Sequence, residues 1–179
     1  MAKGIWLGLL LLFSGCVPLT HLRGPQVAQG REIVLGGSVL FVPNASGPAI
    51  LPYGAVAFGN GQVEVNVSTQ FGLRTGLKAA LETGASLDFG LSFPLLPTGL
   101  GFPLAIDAGF IWGMDGFYIA PRLVWLGFQS NTSLFPSGSG FGYQAHLGYQ
   151  GDLFIGELGL MGNFTNGELL FIIAGGVRF

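Results

Sequence analysis

Charge is scarce in this sequence. Only 9% of its 179 residues are Asp, Glu, Lys or Arg, against about 25% in ordinary soluble domains, too few to cover a conventional soluble surface. Seven Lys and Arg stand against nine Asp and Glu, for a formal charge of −2. With no basic cluster, the electrostatic footprint of a nucleic-acid binder is missing. The single cysteine, Cys16, excludes an intramolecular disulfide and a thiolate zinc site. Beyond the first turns of chain no apolar run approaches the roughly 18 residues of a membrane-spanning helix, which excludes a bundle of such helices. What abounds is glycine, 32 residues without a collagen-like triplet repeat, in a chain that is 50% hydrophobic. The length fits one domain of ordinary size.

The opening MAKGIWLGLLLLFSGC carries an early lysine, Lys3, an apolar run from Ile5 to Phe13, and small residues before Cys16. This is the pattern of a secretory signal over residues 1–15. As a helix its apolar core of about ten residues spans roughly 15 Å, half the hydrocarbon thickness of a bilayer, too short for an anchor. Leu12-Phe13-Ser14-Gly15-Cys16 resembles the lipobox of bacterial lipoproteins, in which cleavage leaves a lipid-bearing cysteine at the new N-terminus. The resemblance implies acylation of Cys16. Val17 stands where lipoproteins kept at the inner membrane carry Asp, which implies transport to the outer membrane. Residues 16–30, with Pro18, Pro25 and several small or polar residues, read as a lipidated tether.

From about residue 31 the pattern has period two. Ala85, Leu87, Phe89, Leu91 and Phe93 alternate with Ser86, Asp88, Gly90 and Ser92, as in a strand with one apolar and one polar face. Similar runs predict strands near 31–42, 51–59, 62–72, 76–82, 86–94, 103–114, 117–127, 139–150, 153–164 and 168–179. Tight turns at Asn60-Gly61, Thr83-Gly84-Ala85, Asp115-Gly116 and Gly151-Asp152 alternate with the other connections, of which 43–50, 95–102 and 128–138 are long. Glycine beside Asn or Asp suits the positive φ of hairpin turns. Short turns at one end and longer loops at the other predict a single antiparallel transmembrane β-barrel over residues 31–179. Ten strands preserve this alternation; eight and twelve are the alternative counts.

The charges test this reading, because a lipid-facing Lys or Arg near the midplane costs about 2–4 kcal/mol. Glu32, Glu64, Lys78, Glu82, Asp88, Asp107, Arg122, Glu157, Glu168 and Arg178 share the less apolar parity of their strands, with Arg31 at a strand start the exception. The opposite parity carries Val63, Val65 and Val67, Ile106, Phe110 and Trp112, and Phe171, Ile173 and Val177. A soluble sandwich would need charge on its outer face. Trp112, Trp125, Tyr143 and Tyr149 read as lipid-facing or interfacial aromatics. The alternating strand ending at Phe179 resembles the C-terminal signal of bacterial outer-membrane barrels. That resemblance implies barrel-insertion machinery and outer-membrane lipid as partners.

The candidate site is an inward polar cluster of Asp107, Arg122, His146, Glu157 and Arg178. Pairing Met114 with Phe117 places Asp107 diagonal to Arg122. Pairing Gln150 with Leu153 sets His146 opposite Glu157, and a turn at Asn166-Gly167 sets Arg178 diagonal to Glu157. A barrel this narrow is filled largely by such side chains, so a plugged lumen with a structural or interaction role is expected. A narrow channel for small solutes or ions is the alternative, and a lipid-modifying enzyme a further one. Small barrel lipid A deacylases use a His and a Ser two residues later. Here Gln144-Ala145-His146-Leu147-Gly148 lacks the hydroxyl, so no catalytic residue, metal site or cofactor is expected.

Overall fold

In the computed structural model, residues 19–43, 47–70, 72–82, 84–94, 102–129, 138–164 and 169–179 are described. Alternation along the chain becomes ten strands: β1 (Gln29–Phe41), β2 (Ala49–Asn60), β3 (Val63–Thr69), β4 (Gly72–Glu82), β5 (Ala85–Pro94), β6 (Phe102–Met114), β7 (Phe117–Gln129), β8 (Gly138–Gln150), β9 (Phe154–Asn163) and β10 (Leu169–Arg178). Each pairs antiparallel with its sequence neighbours, and β1 pairs with β10, so the sheet closes into a barrel without free edges. Ile33 and Phe179 exchange backbone hydrogen bonds of 2.9 and 2.8 Å across that seam. Closure satisfies the ladder groups that an open edge would leave bare in lipid.

Side-chain parity sorts the two faces. Val63, Val65 and Val67, Ile106, Phe110 and Trp112, and Phe171, Ile173 and Val177 are exposed, whereas Glu64, Lys78, Asp88, Asp107, Arg122 and Glu157 are buried inside. At the hairpin end Phe117, Tyr149 and Phe154 form an aromatic ladder with centroid spacings of 4.9 and 5.6 Å. At the other end Tyr143 lies 5.1 Å from Phe164. These rings occupy the positions of interfacial girdles.

The turns explain where the expected register holds. Asp115 and Gly116 both have positive φ, 54° and 86°, as a type I′ hairpin requires, and Met114 pairs with Phe117. The expected two-residue turn at Gly151-Asp152 lies one residue later, at Asp152-Leu153. It is closed by Gly151 N–H donating to Phe154 O at 2.9 Å, so Gln150 pairs with Ile155 rather than Leu153. Strand β4 starts at Gly72, which brings residues 73–75, expected in a turn, into the wall. The signal segment, Cys16 and the connections at 95–101, 130–137 and 165–168 lie outside the described residues.

The largest departure concerns residues 19–28. Expected as part of a tether, they enter the barrel: Thr20, His21, Leu22, Arg23, Val27 and Ala28 are buried. Proline and small residues mark a segment that forms no regular element, but they do not say whether it runs outside or inside.

Candidate functional site

The lumen is built from glycines facing long side chains. A Cβ on Gly90 would fall 2.2 Å from Arg74 Nε, one on Gly148 2.2 Å from the Tyr118 ring, and one on Gly159 2.7 Å from His146 Nδ1. Inward glycines thus leave the volume that the polar side chains occupy. At the β1–β10 seam another inward pair, Gly36 facing Gly176, leaves room of the same kind. There Leu22 of the N-terminal segment, hereafter the arm, lies 2.9 Å from the position of a Gly36 Cβ. Leu22 also packs with Val34, Leu40, Leu51 and Ile172, which makes this side of the lumen apolar.

Across the lumen lies a layer of two cations and two anions. Arg74 donates from Nε to Asp107 Oδ2 at 2.9 Å, and from Nη2 to Asp107 Oδ1 at 2.7 Å and Asp88 Oδ2 at 3.0 Å. Arg122 donates to the same two carboxylates, reaching Asp88 at 2.5 Å and Asp107 in a close contact. Each carboxylate therefore bridges both guanidinium groups. Toward the hairpin end Glu64 receives Arg23 Nη2 at 2.9 Å and the Ala28 N–H at 2.8 Å, with Lys78 Nζ 3.7 Å away. Lys78 donates to the carbonyls of Gly24 and Gln26 at 3.0 and 2.6 Å.

Glu157 is the third centre. Tyr118 OH donates to it at 2.6 Å, the His21 N–H at 3.3 Å, and the Thr20 hydroxyl in a short bond. His146 Nδ1 lies 3.4 Å from Glu157 Oε2, yet neither ring nitrogen of His146 completes a hydrogen bond among the described residues. The His21 and His146 rings meet edge to face at 6.5 Å. Among the buried described residues, Arg23, Arg74, Lys78 and Arg122 face Glu64, Asp88, Asp107 and Glu157. Four cations against four anions leave no net field of one sign.

The expected cluster is thus only partly one cluster. Asp107 and Arg122 meet, with Asp107 opposite Val124 and diagonal to Arg122. His146 faces Gly159, and Glu157 faces Gly148; the one-residue displacement of the turn shifts the pair to a diagonal, and side-chain length keeps them near each other. Arg178 is not beside Glu157, which faces Ala174. It pairs with Glu32 at 2.8 Å near the hairpin end, because β9 and β10 pair two residues out of the expected register. Sequence reasoning missed Arg74, whose even parity with Lys78 was the available signal. It also missed Thr20, Arg23 and Tyr118, of which only Tyr118 sits on an inward parity that could have shown it.

No protein-family model matches the sequence, and no curated protein does. Among solved structures, the N-terminal β-barrel domain of Pseudomonas aeruginosa OprF aligns over 86% of this chain and 99% of its own, at 16% identity and a TM-score of 0.41. Ail, the attachment invasion locus protein of Yersinia pestis, aligns over 88% and 100% at 12% identity, TM-score 0.31. Neisserial surface protein A aligns over 83% and 94% at 12% identity, TM-score 0.32.

Proposed function

We propose that the chain is a small bacterial outer-membrane barrel lipoprotein with a structural or interaction role, its lumen closed to solutes. The observation that carries this is the filling of the lumen by the arm and the charge-balanced layer beneath an apolar outer wall. Closed barrels are one of the two architectures whose backbone is satisfied in lipid, and the apolar band with aromatic ends suits that setting. The exposed face of β10, with Phe171, Ile173, Val177 and Phe179, supports delivery by barrel-insertion machinery. Acylation of Cys16 belongs to the same reading and rests on the lipobox-like sequence. Catalysis is disfavoured because His146, the natural base, has no hydroxyl hydrogen-bonded to it among the described residues, whereas nucleophilic catalysis needs that contact.

One observation favours a narrow conduit instead. Ser68, Ser86 and Ser92 hydroxyls and Asp88 Oδ1 are buried without a hydrogen-bond partner among the described residues, and such atoms ordinarily hold water. The layer across the lumen nonetheless carries both signs, unlike the single-sign rings that select ions in charged filters. Planar-bilayer recording decides: the intact protein is expected to be silent. Reproducible conductance steps that change with Arg122→Ala would establish the channel reading, and turnover of a supplied lipid would establish the enzyme reading.

A further inference from the structure

The arm does not lie randomly in the lumen. Its Leu19 N–H donates to Gln70 Oε1 at 2.8 Å, and Gln70 directly follows β3 at the end opposite the hairpins. Five residues on, the Gly24 N–H donates to Gln150 Oε1 at 2.7 Å, on the last residue of β8 at the hairpin end. The Ala28 carbonyl then accepts from Gly61 N–H at 2.9 Å, in the β2–β3 turn. The chain therefore leaves β1 at the hairpin end and runs back up the inside of the barrel.

The wall holds this segment by its main chain. The N–H groups of Leu19, Thr20, His21, Gly24 and Ala28 are taken by Gln70, Glu157, Gln150 and Glu64. The carbonyls of His21, Gly24 and Gln26 are taken by Tyr53 and Lys78. Polar wall groups on β2, β3, β4, β8 and β9, with Gln70 just beyond β3, converge on one extended chain, which is a built seat.

We propose that the barrel threads its own N-terminal arm, so that the chain preceding Leu19 emerges at the long-connection mouth, opposite the hairpins and the end of β10. In outer-membrane barrels the short turns face the periplasm and the longer loops the cell exterior, so the arm presents its N-terminal side to the cell surface. Chain reach fixes this for Cys16. Three peptide units separate it from Leu19, a span of at most about 11 Å. The seven residues of β3 that separate Gln70 from the hairpin end cover about 23 Å along the strand, or roughly 16–19 Å of height at the usual tilt of 35–45°. Cys16 cannot return to the hairpin mouth while Leu19 stays seated. The consequence for the lipid rests on the lipoprotein reading: acyl chains on Cys16 enter the leaflet at the long-connection end. The threading itself does not depend on acylation.

The test uses the full chain in cells, with a short epitope inserted between Val17 and Pro18 so that Cys16 and Val17 keep their places. A matching epitope in the Asp115-Gly116 hairpin is the periplasmic control, and heat-modifiable gel migration shows that each barrel is folded. Antibody binding of the N-terminal epitope on intact cells, with the hairpin epitope bound only after permeabilisation, is the expected result. An N-terminal epitope that behaves like the hairpin epitope overturns the proposal. A second measurement needs no insertion: in Gly24→Cys with Gln150→Cys, oxidation should cross-link arm to wall in the mature membrane protein. Failure of that cross-link in folded protein with both thiols free also overturns it. Mass spectrometry of the mature N-terminus reads acylation separately, and an unmodified Cys16 removes the lipoprotein reading while the epitope result still decides the threading.

Discussion

Arg74 reaches Asp107 through two nitrogens and Asp88 through one, and its guanidinium lies where side chains at Gly76 or Gly90 would otherwise project. Removing one member of a buried ion cluster leaves its partners uncompensated, which costs about 3–5 kcal/mol. Arg74→Met is therefore expected to lower the unfolding free energy obtained from urea titration in detergent by an amount in that range, seen as a lower midpoint. Arg74→Lys should fall between, since it keeps the charge but loses the forked donors; a midpoint equal to wild type for Arg74→Met would show that Arg122 alone neutralises both carboxylates. The residue was legible in part. Extending the parity of Lys78 back four positions points Arg74 inward, but Gly72 and the short Leu73–Thr75 stretch imitate a turn. Asp107 and Arg122 were readable because the Asp115-Gly116 turn fixes their register, whereas Arg178 was not, because its partner depends on a connection whose length the residues do not dictate.

At the scale of strands, the wall is a set of interlocking pairs in which an inward glycine admits the long side chain of a neighbouring strand. Filling one of these gaps forces a pinned group to move, and overpacking typically costs about 1–3 kcal/mol. Gly90→Leu, aimed at the Arg74 guanidinium, is expected to destabilise the barrel by that amount. Gly140→Ala, where a Cβ meets nothing within 4 Å, should leave the unfolding midpoint unchanged. Equal effects at the two sites would mean that glycine acts here through backbone freedom instead of space. All ten strands were visible in the period-two pattern, since burial of one face and solvation by lipid of the other leave a strong signature. The position of the Asp152-Leu153 turn was not, because the place where a hairpin turns depends on which backbone bond closes it.

For the whole molecule the decisive contacts join distant parts of the chain, such as Thr20 and Glu157, 137 positions apart. No local pattern in Val17–Gly30 announces them, which is why the interior position of the arm was illegible while the barrel around it was plain. Deleting residues 19–27 should turn a silent barrel into one that shows conductance steps in planar bilayers, with a lower urea midpoint because Glu64, Lys78 and Glu157 lose the partners that the arm supplies. If the shortened barrel folds and stays silent, the charged layer alone seals the lumen.

The seam between β1 and β10 joins segments such as Glu32 and Arg178, 146 positions apart, while every other ladder joins neighbours in sequence. Leu22 of the arm packs against the glycines of that seam. The two ends of the sheet can meet only when β1 and β10 are both in place, so closing this seam is what turns the sheet into a cylinder. An arm lying along the inner face of that sheet is enclosed when the edges join. Nothing has to be pushed through a finished pore, and the timing of edge closure decides on which side of the membrane the first residues of the folded chain are left.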